Sequence, residues 1–402
     1  MKILFVHEVS WQKKVTYEIH DFPELLQLRG HDVSFIEYDE ASTIGPTKAK
    51  VRKRHFWGTE SIGTRAHFGS SVRVITPWRI FPSMFGRLFA VFFHPLIILR
   101  ELVLNRPDVI AIYSIPTNGW QTVILAHLLK IPTLFRAIDV SHQIRDTKFS
   151  RFVHLLERFV YSNSDYVCAN NEVLRQYCIA RGASPAKSTV VYPGIDTDRF
   201  YPAPPNRNLQ NKLGIQSTDS VLLFMGTIFR FSGLDELIVE FCSTLRKNPS
   251  LKFLVVGDGE DFVQLLQLVN KLELQHQVLL PGRIEYDLLA DYIRLGHVAL
   301  LPFRPELVTN GALPGKVLQY LACGIPTIAT PLIGLQSMIS KEEGVLYVND
   351  LSDMAKTAFE LLSDAEHRIQ LSNCGIKLMS LKCNWPTQID SFEKILEQLQ
   401  RV

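Results

Sequence analysis

The sequence predicts an α/β protein of two domains, each built on a doubly wound parallel sheet, and three observations carry that expectation. Short β-branched runs alternate with amphipathic stretches along the chain, the pattern of strands and crossover helices. The runs fall into two series with a proline-rich segment between them. The chain has 402 residues, and at roughly 100 to 200 residues per domain that is enough for two full hydrophobic cores.

In the first series the candidate strands are 2–7, 32–38, 108–113, 133–138, 165–169 and 189–192. Most are apolar throughout, as expected of strands covered on both faces. The second series is 220–225, 252–257, 277–281, 297–301, 326–330 and 345–348. Between them lie Tyr192-Pro193-Gly194-Ile195-Asp196 and Tyr201-Pro202-Ala203-Pro204-Pro205, dense in residues that stop helices and central strands. The expected division is therefore a first domain over 1–194, a linker over 195–205 and a second domain over 206–380. At the end, Ile389, Phe392, Ile395, Leu396 and Leu399 share one helical face, and that face needs a surface to cover.

Composition narrows the functional classes. With 47% apolar and 21% charged residues, extended disorder and coiled coil are excluded. A net charge of +3 gives no reason to expect a nucleic-acid partner. Six cysteines without a C-x-x-C pair argue against zinc ribbons and redox motifs, so no metal is expected. The opening Met1-Lys2-Ile3-Leu4-Phe5-Val6 is followed at once by His7 and Glu8. That is too short for a signal-peptide core, and a cytoplasmic chain is expected.

The charge is unevenly spread. Residues 48–87 hold nine Lys and Arg against one acid, Glu60, a net of +8 that leaves −5 for the remainder. The aromatic-rich stretch Leu88 to Leu104 follows, interrupted by His94, Pro95, Arg100 and Glu101. It falls short of the roughly 18 uninterrupted apolar residues of a membrane span. A basic run beside such a stretch suits an interfacial segment on anionic lipid. Residues 48–104 are the expected membrane-facing part, with a buried helix beside a solvated loop as the alternative.

The most informative segment is Asn310-Gly311-Ala312-Leu313-Pro314-Gly315-Lys316, continuing to Thr330. Pro314 suits the first turn of a helix, and Gly324 a stop before a strand at 327–330. The free N–H groups of that first turn attract an anion. Lys316 opposes the helix dipole there unless an anion is bound. A diphosphate is the expected occupant.

These motifs give the chain a resemblance to the glycosyltransferase family 4 type of GT-B enzymes. They are Arg29-Gly30-His31-Asp32-Val33, the Tyr192 to Asp196 and Arg199-Phe200-Tyr201-Pro202 signatures, Phe224-Met225-Gly226, Val255-Val256-Gly257-Asp258-Gly259, Pro281-Gly282-Arg283, and Leu321 to Thr330. The resemblance implies a nucleotide-diphosphate sugar held by the second domain, an acceptor held by the first, and a cleft between them. It also implies a C-terminal helix from Pro386 that crosses back, and transfer with retention at the anomeric carbon. No cofactor beyond the donor substrate is implied. Lys316 and Arg230 would stabilise the leaving diphosphate, with Gly226, Thr227, Ser232, Gly257, Gly311, Ala312, Leu313, Pro314 and Gln319 around it. Arg283 and Ile284 would meet the base. His142 and Asp139, after Phe135-Arg136-Ala137-Ile138, are the candidates for the acceptor's proton or a sugar hydroxyl.

The sequence departs from the family pattern where the charges should be. The two family glutamates align with Gly311 and Gln319, and its phosphate-binding Arg and Lys with Thr227 and Ser232. Two functional readings follow. One is a transferase acting on a saccharide or lipid-linked acceptor in cell-surface polysaccharide or glycolipid synthesis, placed peripherally on the inner membrane face. The other is a weak or inactive donor-binding scaffold. Asp196-Thr197-Asp198 resembles a metal motif but falls in the linker signature, where Asp side chains stabilise turns.

Overall fold

The structure is a computed structural model that describes residues 1–39, 51–55, 58–78, 83–141 and 150–401. The chain forms two compact units, Met1–Pro193 with Pro386–Val402, and Gly194–Trp385.

In the first unit the elements run β1 (Lys2–Val6), α1 (Glu18–Leu28), β2 (Asp32–Ile36), β3 (Val51–His55), β4 (Gly58–Gly63), β5 (Val72–Pro77), α2 (Ser83–Leu104), β6 (Val109–Ile112), α3 (Gly119–Leu129), β7 (Thr133–Ala137), α4 (Ser150–Asn163), β8 (Tyr166–Ala169), α5 (Glu172–Ala180) and β9 (Ser188–Val190). They form a nine-stranded sheet in the order β3-β4-β5-β2-β1-β6-β7-β8-β9. From β5 onward every pairing is parallel, while β3, β4 and β5 are joined as antiparallel neighbours. Alternation along the strands sends Leu4, Val6, Ile110, Ile112 and Phe135 to a core shared with α2, α3, α4 and α5. On the other side Phe5 meets Phe35, and Phe392 of the last helix stacks on Phe5 and Phe22.

Among the described residues of the basic window, 51–55, 58–63 and 72–77 are strands of the sheet rather than a loop. Lys48, Lys50 and Arg79 lie outside the described residues. Arg52, Lys53 and Arg54 fall on β3, and Arg65, Arg73 and Arg87 are engaged within the fold. Arg65 donates to the Lys14 carbonyl at 2.8 Å, Arg73 pairs with Glu101 and Glu60, and Arg87 reaches the Thr117 hydroxyl. The α2 helix carries Pro95 in its interior. Proline lacks the N–H that would bond the carbonyl four residues back. That carbonyl, of Val91, is met instead by the Gln121 amide of α3 at 3.0 Å. No helix among the described residues is long and apolar enough to cross a membrane.

The second unit contains α6 (Arg207–Leu213), β10 (Ser220–Met225), α7 (Leu234–Lys247), β11 (Leu251–Val256), α8 (Phe262–Lys271), β12 (Val278–Gly282), α9 (Leu289–Ile293), β13 (Val298–Leu301), α10 (Leu307–Asn310), α11 (Gly315–Ala322), β14 (Thr327–Ala329), α12 (Ile333–Gln336), β15 (Val345–Tyr347), α13 (Leu351–Ser363) and α14 (Ala365–Lys382). Its six strands are all parallel, in the order β12-β11-β10-β13-β14-β15. This is the doubly wound order, with the direction of winding reversing between β10 and β13.

Residues 195–205, the expected linker, lie along this second unit. Ile195 bridges to Asn384, Phe200 is buried, and the Arg294 guanidinium donates to the carbonyls of Arg199 and Tyr201. A β-carbon on Gly194 would fall 2.2 Å from the Trp385 indole, so this position admits only glycine. The last helix, α15 (Trp385–Gln400), starts here and continues from Pro386 as part of the first unit.

Candidate functional site

In doubly wound sheets ligands bind beyond the carboxyl ends of the strands where winding reverses. In the second unit that place is beyond β10 and β13, and the predicted anion site is there. Gly226 follows β10 with φ +137, and Gly257 follows β11 with φ +144. Both lie in backbone space that side chains rarely adopt. A β-carbon on Gly257 would fall 1.9 Å from the Gly226 carbonyl oxygen, and one on Gly226 would fall 2.3 Å from Lys316 Nζ. The two glycines therefore let the β10 and β11 turns touch each other and let Lys316 lie against the turn.

Lys316 projects from the first turn of α11, whose N-cap is Pro314. Its ammonium stands 4.3 Å from the Phe224 ring centre and 4.6 Å from that of Phe303, within range of cation–π attraction. Among the described residues no carboxylate pairs with Lys316. Burial lowers its pKa to about 7, because nothing nearby replaces the lost hydration. Tyr320, one turn further along α11, fixes the arrangement: its hydroxyl donates to the Met225 carbonyl and accepts from the Met225 N–H at 2.6 Å. A cation beside the Gly315 and Lys316 N–H groups of a helix start is arranged to receive a doubly charged oxygen group.

The remaining predicted residues take different places. Leu313 is buried, and Gly311 and Ala312 are half-buried, with Gly334 closely packed on their carbonyls. Gln319 is half-buried, three residues after Lys316 and so on its side of the helix. Thr227 and Arg230 are exposed on the loop after Gly226. Ser232 is fully buried; its hydroxyl accepts from Phe229 N–H and donates to the Thr227 carbonyl. It stabilises the loop and is not presented to a ligand. Arg283 is exposed and Ile284 half-buried just beyond β12. Asp196 accepts from the Asp198 and Arg199 N–H groups, so the Asp-Thr-Asp motif is a turn. The roles of Phe224, Phe303 and Tyr320 escaped the sequence reading, since only the pairing of β10 with β13 brings the two rings to Lys316 and only the packing of α11 on β10 sets Tyr320 against Met225.

In the first unit winding reverses between β1 and β6. Glu8, just past β1, accepts from the Thr117 N–H, and Asn118 donates to the His7 carbonyl. His7 is 5% exposed and stacks on Tyr113. Its Nδ1 accepts from the Glu8 N–H, which leaves the proton on Nε2. Burial, aided by the charges of Lys14, His20 and Arg87, lowers its pKa to about 3, so it is neutral. Among the described residues the buried Nε2 and the Tyr113 hydroxyl find no hydrogen-bond partner. Asp139 follows β7 and is exposed, whereas His142 lies outside the described residues. A feature absent from the sequence reading is Arg136 in the middle of β7. Fully buried, it forms a two-pronged pair with Glu18 of α1 at 2.8 Å and donates to the carbonyls of Ala169 and Val191.

Comparison with known proteins gives the family and the fold. The family described as Glycosyltransferase Family 4 matches residues 19–199, and Glycosyl transferases group 1 matches residues 219–364. An Arabidopsis thaliana subunit of phosphatidylinositol N-acetylglucosaminyltransferase is 23% identical over 77% of this chain and 66% of its own length. N-acetyl-alpha-D-glucosaminyl L-malate synthase of Bacillus anthracis is 27% identical over 60% of each chain. The chain thus spans less than two thirds of the length of these curated relatives. Among solved structures, Anabaena HepE in complex with UDP superposes with a TM-score of 0.75 at 15% identity, covering 99% of this chain and 100% of that one. The fold is GT-B, and the chain belongs to the group 1, family 4 glycosyltransferases.

Proposed function

We propose that the protein transfers a glycosyl group from a nucleotide-diphosphate sugar to a hydroxyl of a saccharide or lipid-linked acceptor. The observation that carries this reading is Lys316, a desolvated cation without a counter-charge, set against Gly226 at the start of α11. When the bond from anomeric carbon to diphosphate breaks, the electron pair and growing charge pass to the diphosphate. Lys316 and the first-turn amides of α11 are placed to stabilise that charge. Exposed Arg230 adds a second cation, and the site needs no metal ion for this task. Transfer proceeds with retention, and the acceptor meets the first unit, where Asp139 and His142 are the candidates for its proton. Cell-surface polysaccharide or glycolipid synthesis at a membrane face is the setting that fits a lipid-linked acceptor. UDP bound by HepE supports a uridine donor.

A thermal-shift panel of nucleotide sugars tests this, since a ligand that binds only the folded form raises the melting temperature. A shift with UDP-sugars that disappears in Lys316→Ala is expected; no shift with any donor overturns the reading. One observation favours a second reading, a donor-binding scaffold. Ser232, aligned with a family lysine, is consumed by its own loop. UDP binding without hydrolysis or transfer in any acceptor mixture is the result that would select it.

A further inference from the structure

The side of α2 turned away from the core carries a second apolar stripe. Phe85, Leu88, Phe92, Leu96, Leu99 and Val103 recur at steps of three and four and are all exposed, Phe92 by 79%. Ile97, Ile98 and Leu102 on the other side are buried in the core. A helix apolar all round is normally buried, yet the described residues cover this one on one side only. The neighbouring helices extend the surface, for α2 packs on α3 and α3 on α4. Ile124 and Leu128 of α3 and Phe152 and Leu155 of α4 are exposed as well. Monomeric soluble proteins rarely leave so long an apolar surface bare.

Charge selects what covers it. Glu101 and Glu157 are the acids on these three helices, and both are buried. Glu101 pairs with Arg73 and Arg100, and Glu157 accepts from Tyr177. The exposed charges on the three helices are positive, Arg151 and Arg158 on the α4 face with Leu155; just beyond the helices Arg106 and Lys130 are exposed and Asp108 and Asp165 half-buried. A second copy of this face would oppose like charges, whereas acidic headgroups would neutralise them while the acyl boundary takes up the apolar stripe. We propose that the outer side of α2, α3 and α4 docks on an anionic lipid surface, with α2 lying in its plane. The inference rests on the membrane setting proposed above. It moves the contact from the basic 48–77 stretch, where Arg65 and Arg73 are engaged within the fold, to the three helices.

Flotation with vesicles of phosphatidylcholine, alone or mixed with phosphatidylglycerol, at low and high salt, tests the assignment. Two variants are compared, Phe92→Gln with Leu96→Gln, and Arg151→Glu with Arg158→Glu, with melting temperature and the UDP-induced shift measured for each. The wild type should float with the mixed vesicles at low salt and much less at high salt. Each variant should lose roughly tenfold or more in binding while keeping its UDP shift. If the apolar variant does not melt cooperatively, the arginine pair, exposed and outside the core, decides alone. Wild-type protein that binds no vesicle ends the membrane setting and the docking face together. Wild-type binding that both variants retain ends only the face. Equal binding to phosphatidylcholine alone, or a wild-type dimer that Phe92→Gln with Leu96→Gln converts to monomer, also overturns it. Flotation without any donor-induced shift ends the transferase reading while leaving the docking face in place.

Discussion

The Lys316 ammonium occupies the space that a side chain on Gly226 would need, since a β-carbon there would fall 2.3 Å from Nζ and 2.7 Å from Cε. Glycine at 226 is therefore a condition for where the cation stands. The backbone conformation at φ +137 is a second condition on the same residue.

Gly226→Ala should abolish the UDP-induced thermal shift by displacing Lys316, and should also cost about 1–3 kcal/mol in stability from backbone strain. Gly214→Ala is the control. Its φ of +69 is also left-handed, but nothing lies within 4 Å of the added carbon. It should lower the melting temperature and leave the UDP shift intact. An undiminished UDP shift in Gly226→Ala would contradict the assignment.

Donor affinity should fall as pH rises through about 7, because the ligand-free lysine then loses the proton that the diphosphate requires. The decline should approach tenfold per pH unit until the pKa of the complex is reached. In Lys316→Met this component should be missing. Stability should move the other way. From about 7 to the unfolded lysine's 10.5 the unfolded chain binds the extra proton, so the ligand-free fold gains stability with rising pH relative to Lys316→Met. Calorimetry of UDP binding and melting curves across that range measure both trends.

Removing the Tyr320 hydroxyl leaves the N–H and carbonyl of Met225 without the bonds that hold β10 to α11. Tyr320→Phe should lower stability by about 1–3 kcal/mol and weaken UDP binding. Denaturant melts and a UDP titration measure the two effects. Loss of stability with unchanged UDP affinity would mean that the hydroxyl does not position Lys316.

Glu18→Gln leaves Arg136 fully buried without its counter-charge. Destabilisation by about 3–5 kcal/mol is expected, whereas replacing both partners with methionine should cost much less. Denaturant midpoints of the two variants give the comparison. A similar loss in both would show that packing, not charge, is what the pair supplies.

The second unit was the more legible part of the sequence. Each of its six strands matches a β-branched run, because a parallel sheet covered on both faces requires continuous apolar segments. In the first unit β3, β4 and β5 were missed. Val51–His55 and Gly58–Gly63 lie at the sheet margin, where polar residues are admitted, and Arg73 interrupts β5 with a charge whose partner, Glu101, is 28 residues away. The helix start at Pro314 and the cation at Lys316 were readable from neighbouring residues alone. Their aromatic surroundings were not, because Phe224 and Phe303 meet only through a crossover that places β13 beside β10. The same limit hid Arg136, whose partner Glu18 lies 118 positions earlier.

The contact of Gly194 with Trp385 has a consequence for the order of synthesis. The second unit enters and leaves through neighbouring points, so residues 194–385 form an insertion within the sequence of the first unit. While a ribosome extends the chain, Phe5 and Phe22 are made before any of the second unit, but Phe392, which covers both, is made only after all of it. The unit begun first is closed second, and until α15 emerges it exposes the apolar surface on which that helix will lie. A nascent chain stalled before Pro386 would thus carry a finished second unit and an open first one.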